Sequence, residues 1–297
     1  MLQTGTVVSV HGEFAKVQCD DGRIRRLRSR RQLTRLASGD VVQWRAQRGG
    51  GSIETLKARR SLLARTDPNG NKKPIAANLD LVAVVWSPVP NTPVAFIDRY
   101  LAHLAYNRLQ AILIGNKLDR DDATFSAQRT ELRDLYTECG YMWLDVSAKA
   151  GVGIDTLATE LSNKTCAVVG QSGVGKSSIV NALSTPETQA TGRLTDDEAH
   201  GTHTTSAARL VELQCGGTLI DSPGVRDIAT AYLPPRDVSL GFPEISELSS
   251  NCKFRDCLHQ AEPECAVNDA VRRGEIAKSR MQSYAEMLYA SLEAEHR

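Results

Sequence analysis

The sequence predicts a multidomain chain of three successive units. They are a small all-β barrel, a mostly parallel α/β domain that binds a nucleotide, and a metal-binding domain with helices. Three observations carry this prediction. Five short β-branched runs with turn signals between them fill the first part of the chain. From residue 79, near-continuous apolar runs alternate with segments of helical spacing, the pattern of a parallel sheet covered by helices. Near the end, Cys252, Cys257, His259 and Cys265 fall within fourteen residues. These observations place the units at 1–65, 66–230 and 231–297.

In the first unit, strands are expected at Gly5–Val10, Ala15–Gln18, Arg23–Leu27, Val41–Arg45 and Ser52–Leu56. His11-Gly12, Asp20-Asp21-Gly22 and Ser38-Gly39-Asp40 supply turns between them. Five strands in so short a stretch suit a barrel of the oligonucleotide-binding kind, the OB-fold. Its third strand and the next loop hold Arg23, Arg25, Arg26, Arg28, Arg30, Arg31 and Arg35, and Arg59, Arg60 and Arg65 follow. The chain as a whole carries a net charge of +1, yet residues 1–66 hold 14 Lys and Arg against 5 Asp and Glu. No acidic residue interleaves between Arg23 and Arg35, so an anionic partner is expected to offset the repulsion. With only Phe14 and Trp44 as aromatics here, backbone and shape recognition of structured RNA is expected over base stacking.

Residues 66–78 read as a linker loop. Leu79–Trp86 then reads as a buried strand, Phe96–Asn107 as a helix and Ala111–Gly115 as a second strand. Ala127–Cys139 follows as a helix, Met142–Val146 as a strand, Ile154–Leu161 as a helix and Thr165–Val169 as a strand.

That last strand leads into Gly170-Gln171-Ser172-Gly173-Val174-Gly175-Lys176-Ser177, which fits G-x-x-x-x-G-K-[ST]. Ser178 and the apolar residues after it read as the start of a helix. Gly170, Gly173 and Gly175 let the backbone wrap phosphate oxygens, and the helix N-terminus points its N–H groups at them. Lys176 is expected to reach the terminal phosphates, and the Ser177 hydroxyl to ligate Mg²⁺.

Four further motifs extend the site. Asn116-Lys117-Leu118-Asp119 follows a strand and reads as a guanine reader, with Asp119 accepting from the ring N1–H and the exocyclic amine. Asn116 would brace the loop and the Lys117 stem would lie along the base. Ser147-Ala148-Lys149 also follows a strand, with the Ala148 N–H expected at the guanine O6. Asp221-Ser222-Pro223-Gly224 follows strand Thr218–Ile220. Asp221 would hold Mg²⁺ through water, and the Gly224 N–H would meet the γ-phosphate. The stretch 201–206 reads G-T-H-T-T-S, where Thr205, or alternatively Thr204, would close the Mg²⁺ shell. The set is that of a GTPase, binding GTP and GDP. Its order is circularly permuted, since the two base-reading motifs precede the phosphate loop.

Many GTPases carry a Gln just after D-x-x-G to orient the attacking water. This chain has Val225 there. His203 is therefore the in-chain candidate for water positioning, read against a histidine that merely packs in its loop.

Cys252-x₄-Cys257-x-His259-x₅-Cys265 offers three thiolates and one imidazole, a closed set for one structural Zn²⁺. Residues 269–296 read as one long helix. Cys19, Cys139, Cys166 and Cys215 lie in apolar contexts and are expected in cores. With no membrane-length apolar run and no signal-peptide layout at the start, a cytoplasmic protein is expected, with no membrane or DNA partner, acting as a monomer.

Taken in order, N-K-L-D, S-A-K, G-Q-S-G-V-G-K-S, G-T-H-T-T-S and D-S-P-G resemble the RsgA (YjeQ/YloQ) family of small-subunit-dependent ribosomal GTPases. The basic barrel before them, the Cys/His knot after them and Phe96-Ile97-Asp98-Arg99-Tyr100-Leu101 share the resemblance. It implies a late assembly factor of the small ribosomal subunit that binds rRNA near the decoding region. It implies GTP hydrolysis stimulated by that subunit, with release on hydrolysis and a catalytic role for His203. Two departures stand out. Ser206 replaces a third threonine, and the chain starts almost at its first strand, so the basic N-terminal arm of some relatives is not expected. Two rival readings are a GTP-gated module acting on another RNA and an assembly GTPase of the large subunit.

Overall fold

The structure is a computed structural model that describes residues 2–29, 35–47, 50–120, 122–185 and 209–296. The switch stretch with His203, Thr204 and Thr205, together with Arg30 and Arg31, lies outside the described residues.

The N-terminal strands close into a barrel. Strands β1 (Gln3–His11), β2 (Phe14–Cys19), β3 (Ile24–Ser29), β4 (Val41–Gln47) and β5 (Gly50–Leu56) run in the order β1-β2-β3-β5-β4, with β1 also paired to β4. Val7, Val17, Leu27, Val42, Trp44 and Ile53 fill the interior from alternating positions, as the two-residue period of a strand requires. Arg23, Arg26 and Arg28 are exposed and Arg25 is half-buried, and three of these four are engaged by neighbouring side chains. Arg25 pairs with Asp21 and Arg28 with Glu13, while Arg26 lies over the Phe14 ring at 4.0 Å. These acids precede the arginine run in sequence and reach it only because β2 and β3 pair antiparallel. The expected uncompensated repulsion is to that extent corrected.

Arg59 and Arg60 are both engaged in ion pairs, Arg59 within the barrel segment and Arg60 across to the next domain. Arg59 Nε donates to Asp40 Oδ1 at 2.7 Å, and Arg60 pairs with Asp80 at the start of the central sheet. Asn78 Nδ2 donates to the Gly39 carbonyl at 2.8 Å, so a second bond fixes the barrel to the next domain. Gly39 sits at φ +87°, and a Cβ there would lie 2.3 Å from the Ala77 carbonyl oxygen, which is why this contact needs glycine.

The stretch read as a linker is a hairpin. Strands β6 (Leu62–Thr66) and β7 (Lys72–Ala77) pair antiparallel. Asp67 organises the turn, accepting from Asn71 N at 2.9 Å. The sequence hid it because β7 is only half apolar, its Lys72 and Lys73 exposed while Ala76 and Ala77 are buried.

The central sheet has six strands in the order β10-β9-β8-β11-β13-β12. Strands β8 (Leu81–Trp86), β9 (Gln110–Gly115), β10 (Met142–Asp145), β11 (Thr165–Gly170) and β13 (Thr218–Asp221) run parallel, and β12 (Arg209–Glu212) runs antiparallel at the edge. β8 is buried at every position, as a strand covered on both faces must be. Helix α1 (Val94–Tyr106) packs on one face, and α3 (Ile154–Leu161) and α4 (Lys176–Leu183) on the other. Helix α2 (Ala123–Glu138) starts earlier than its apolar spacing indicated. Asp122 caps it, accepting from Thr124 N at 2.9 Å and Phe125 N at 3.0 Å.

The C-terminal unit holds helices Pro243–Ser249, Ala266–Arg273 and Lys278–Glu295. The single long helix expected over 269–296 is thus two helices. Gly274 ends the first in the left-handed region at φ +79°, and Glu275 N returns to the Ala270 carbonyl at 2.9 Å. Of the four cysteines expected in cores, Cys19 and Cys166 are buried, whereas Cys139 and Cys215 are half-buried. Among the described residues no helix is long and apolar enough to cross a membrane.

Candidate functional site

The phosphate loop leaves the C-terminal end of β11, between β8 and β13, and ends at the start of α4. Each of its glycines answers a steric demand. At Gly170 (φ +144°) a Cβ would stand 2.5 Å from the Val85 carbonyl oxygen, and at Gly175 (φ +98°) 2.3 Å from Asn116 Nδ2. No side chain caps α4, so its first N–H groups face the loop interior. Val174 is buried and pins the loop, while Ser172, Gly173, Ser177 and Ser178 are exposed and Gln171 is half-buried. Lys176 Nζ donates to the carbonyls of Gly170 at 2.8 Å and Gln171 at 2.7 Å. Burial and the nearby Arg226 charge push the Lys176 ammonium below the usual lysine value.

The base-reading motifs meet the phosphate loop directly. Asn116 Nδ2 donates to the Val174 carbonyl at 2.9 Å, and its Oδ1 accepts from Ala148 N at 3.2 Å. One buried side chain thus links all three loops. Lys117 sits at φ +71° and extends across them, donating to the carbonyls of Val89 at 2.5 Å and Gly173 at 2.6 Å. Ser147 Oγ donates to Asp119 Oδ1 at 2.6 Å, and that bond, ahead of the nearby charges, holds the carboxyl below its ordinary range. Asp119 is therefore an ionised acceptor at neutral pH. Lys149 is exposed beside it.

On the other side of β11, Asp221 ends β13. Arg226 grips it from the turn of helix Pro223–Arg226, with Nη2 at 2.5 Å from Oδ1 and 2.7 Å from Oδ2, and Nε at 3.0 Å from Oδ1. Gly224 lies against β7, where a Cβ would come within 2.9 Å of Ile75 Cγ2. The hairpin therefore backs this loop. Tyr100 Oη donates to the Arg226 carbonyl at 2.6 Å and anchors the same turn to α1. The sequence gives Arg226 no assigned role, although it ends the stretch I-D-S-P-G-V-R over 220–226 that shares the family resemblance.

The fold thus brings Asn116, Lys117, Asp119, Ser147, Ala148 and Lys149 to one side of the loop 170–177 and Asp221 and Gly224 to the other. The base-reading half precedes the loop in sequence. The family described as RsgA GTPase matches residues 56–231. The chain belongs to the RsgA GTPase family. Like the family, it is a GTP hydrolase with the order of its motifs permuted. It is 40% identical to the small ribosomal subunit biogenesis GTPase RsgA of Pseudomonas aeruginosa over 295 residues, spanning 99% of this chain and 87% of that one. The namesake protein of Azotobacter vinelandii is 39% identical over 299 residues, with the same coverage of each chain. Two solved structures share the fold. YjeQ from Thermotoga maritima superposes with a TM-score of 0.77 at 31% identity, over 98% of this chain and 99% of that one. YloQ, described as a circularly permuted GTPase, gives 0.73 at 26% identity, over 99% and 96%.

A second cluster stands apart from the nucleotide site. The ligand atoms of Cys252, Cys257, His259 and Cys265 all lie within 4.8 Å of one another. Cys252 Sγ and Cys265 Sγ are 3.6 and 3.4 Å from His259 Nδ1, and 3.9 Å from each other. Tetrahedral zinc–sulfur and zinc–nitrogen bonds place ligand atoms roughly 3.5–3.8 Å apart, so the donor set fits that ion. His259 Nε2 faces Ser249 Oγ at 2.9 Å, which orients the ring with Nδ1 toward the thiols.

Proposed function

We propose that this GTPase acts in late maturation of the small ribosomal subunit, binds rRNA through its barrel, and is stimulated by that subunit. The likeness to RsgA relatives over nearly the whole chain carries this reading. The division into 1–65, 66–230 and 231–297 gives each unit its own role. The first contacts RNA, the second binds and hydrolyses the nucleotide, and the third docks through a metal-stapled surface. On this reading the chain works as a cytoplasmic monomer.

Within the nucleotide site, Asp119 reads the guanine edge, the Ala148 N–H meets its carbonyl, and Asn116, Lys117, Ser147 and Lys149 hold these loops against the base. Residues 170–178 wrap the phosphates, and Lys176 meets the terminal ones. Gly173 and Gly175 leave the inner wall open where a Cβ would intrude on Pro90 and Asn116. Mg²⁺ would be held by Ser177 and Thr205, with Thr204 the alternative and Asp221 acting through water. When bound, the ion neutralises phosphate charge. His203 positions the attacking water, because buried, apolar Val225 cannot. Replacing His203 by Ala is expected to abolish stimulated hydrolysis and spare GTP binding; unchanged turnover would sink that role. Cys252, Cys257, His259 and Cys265 hold one structural zinc.

Sedimentation with purified subunits tests the partner. Co-migration with the small subunit is expected with a non-hydrolysable GTP analogue and is lost with GDP. Co-migration with the large subunit instead overturns the reading.

A further inference from the structure

Asp221 is the carboxylate expected to serve Mg²⁺, yet two guanidinium nitrogens of Arg226 hold both of its oxygens. The pair is asymmetric in exposure. The Asp221 side chain is 13% exposed and that of Arg226 37%. The carboxylate is therefore fixed in the site, and the guanidinium is the partner with a path to water.

The backbone around Arg226 is pinned in a way that leaves only its side chain to move. Arg226 N donates to the Ser222 carbonyl at 3.3 Å, and Tyr100 Oη holds the Arg226 carbonyl at 2.6 Å. Val225 beside it is buried at 1% exposure. Rotation of the arginine side chain about these anchors breaks its ion pair with Asp221 and leaves the turn wound.

We propose that Arg226 is a latch on the metal-side carboxylate, a positioning residue that holds Asp221 in the metal-free state and is displaced when Mg²⁺ enters. This inference rests on the assignment of Asp221 to Mg²⁺ made above. The exchange is electrostatically ordered. A guanidinium spreads one charge over a plane, whereas Mg²⁺ concentrates two on a small ion and takes carboxylate oxygens or their bridging water. Without the metal, the carboxylate is neutralised by an internal cation. With it, the same carboxylate is neutralised by the ion, and the guanidinium returns to solvent next to the phosphate loop.

The test is GDP binding by the full chain, followed with a fluorescent GDP analogue across a Mg²⁺ titration. Arg226→Ala is expected to lower the half-saturating Mg²⁺ concentration by about fivefold, the worth of a partly exposed bidentate pair. Its GDP affinity in EDTA is expected to match the parent, which shows the phosphate loop intact. Arg226→Lys keeps the charge but cannot pair through two nitrogens, and is expected to lie between the two. It carries the test should the alanine variant fail to fold. A half-saturating Mg²⁺ concentration that stays the same or rises in both variants overturns the latch. Asp221→Asn separates the two claims. Loss of its Mg²⁺ response alongside parent-like arginine variants removes the latch alone, whereas a retained Mg²⁺ response removes the Asp221 assignment and the latch with it.

Discussion

Asn116 Nδ2 donates to the Val174 carbonyl at 2.9 Å, and this bond joins the base-reading loop to the phosphate loop. The two loops lie 58 residues apart in the chain. Circular permutation is tolerated here because the site is closed by side chains and not by chain order.

Asn116→Ala should therefore cost more than one contact. It strands the buried Val174 carbonyl and the Ala148 N–H, which also loses its partner. Each unsatisfied group costs about 1–3 kcal/mol. Affinity for GDP and GTP alike is expected to fall at least about tenfold. Titration calorimetry checks this, and parent-like affinity would contradict the role of Asn116 as a brace.

Metal removal should act on the C-terminal unit. Cys265 and His259 lie under Tyr284, whose hydroxyl donates to the Leu258 carbonyl at 3.1 Å, so the metal cluster and the local core share residues. Cys257→Ser is expected to lower zinc content well below one ion per chain and to lower the melting temperature. Nucleotide affinity should change little, because this cluster takes no part in the nucleotide site. Elemental analysis with thermal denaturation measures both.

Arg280 is the centre of a buried charge network between the last two units. It meets Asp98 of α1, donates through Nε to Glu244 Oε1 at 2.7 Å and through Nη2 to the Gly241 carbonyl at 3.1 Å, and lies over the Phe242 ring at 4.4 Å. Burial works against its charge, but Asp98 and Glu244 overcome that and hold its pKa above the ordinary arginine value. Arg280→Met leaves Asp98 buried without its cation and is expected to destabilise by about 3–5 kcal/mol. The double variant with Asp98→Leu should recover part of this loss, a non-additivity that denaturant melts of the four proteins will read.

His103 gives the chain an acid-sensitive element. It is 3% exposed on α1, and burial, ahead of the nearby Arg65 and Arg99 charges, pushes its pKa down to about 4 from the ordinary 6.5. The folded chain therefore refuses a proton that the unfolded chain accepts. Its contribution is complete above about pH 6.5 and is lost as the pH falls toward about 4, at up to about 1.4 kcal/mol per pH unit. His103→Gln should flatten stability across that window. An equally steep decline in the variant would assign the acid sensitivity to other groups.

The inner strands of the central sheet were legible because a strand buried on both faces must be apolar throughout, as β8 is. The phosphate loop, the two base-reading motifs and D-S-P-G were legible because each sits at a strand end, where glycines or short polar residues must carry the chain around a ligand. The hairpin β6–β7 was not. Its lysines face solvent and its turn looks like any polar connector, so only pairing reveals it. Arg280 was hidden for a related reason. A single charge on a helix reads as surface until a second element brings Asp98 against it. Arg226 stands just past the D-S-P-G motif, but the proximity of its guanidinium to Asp221 depends on how the turn after β13 folds back.

A permuted GTPase that works on the small ribosomal subunit should answer to that subunit and not to the large one. GTP turnover by the full chain, measured alone and with purified small or large subunits, decides this. Slow turnover alone, raised strongly by small subunits and not by large ones, is the expected result. Turnover unaffected by small subunits, or raised by large subunits in their place, would contradict it.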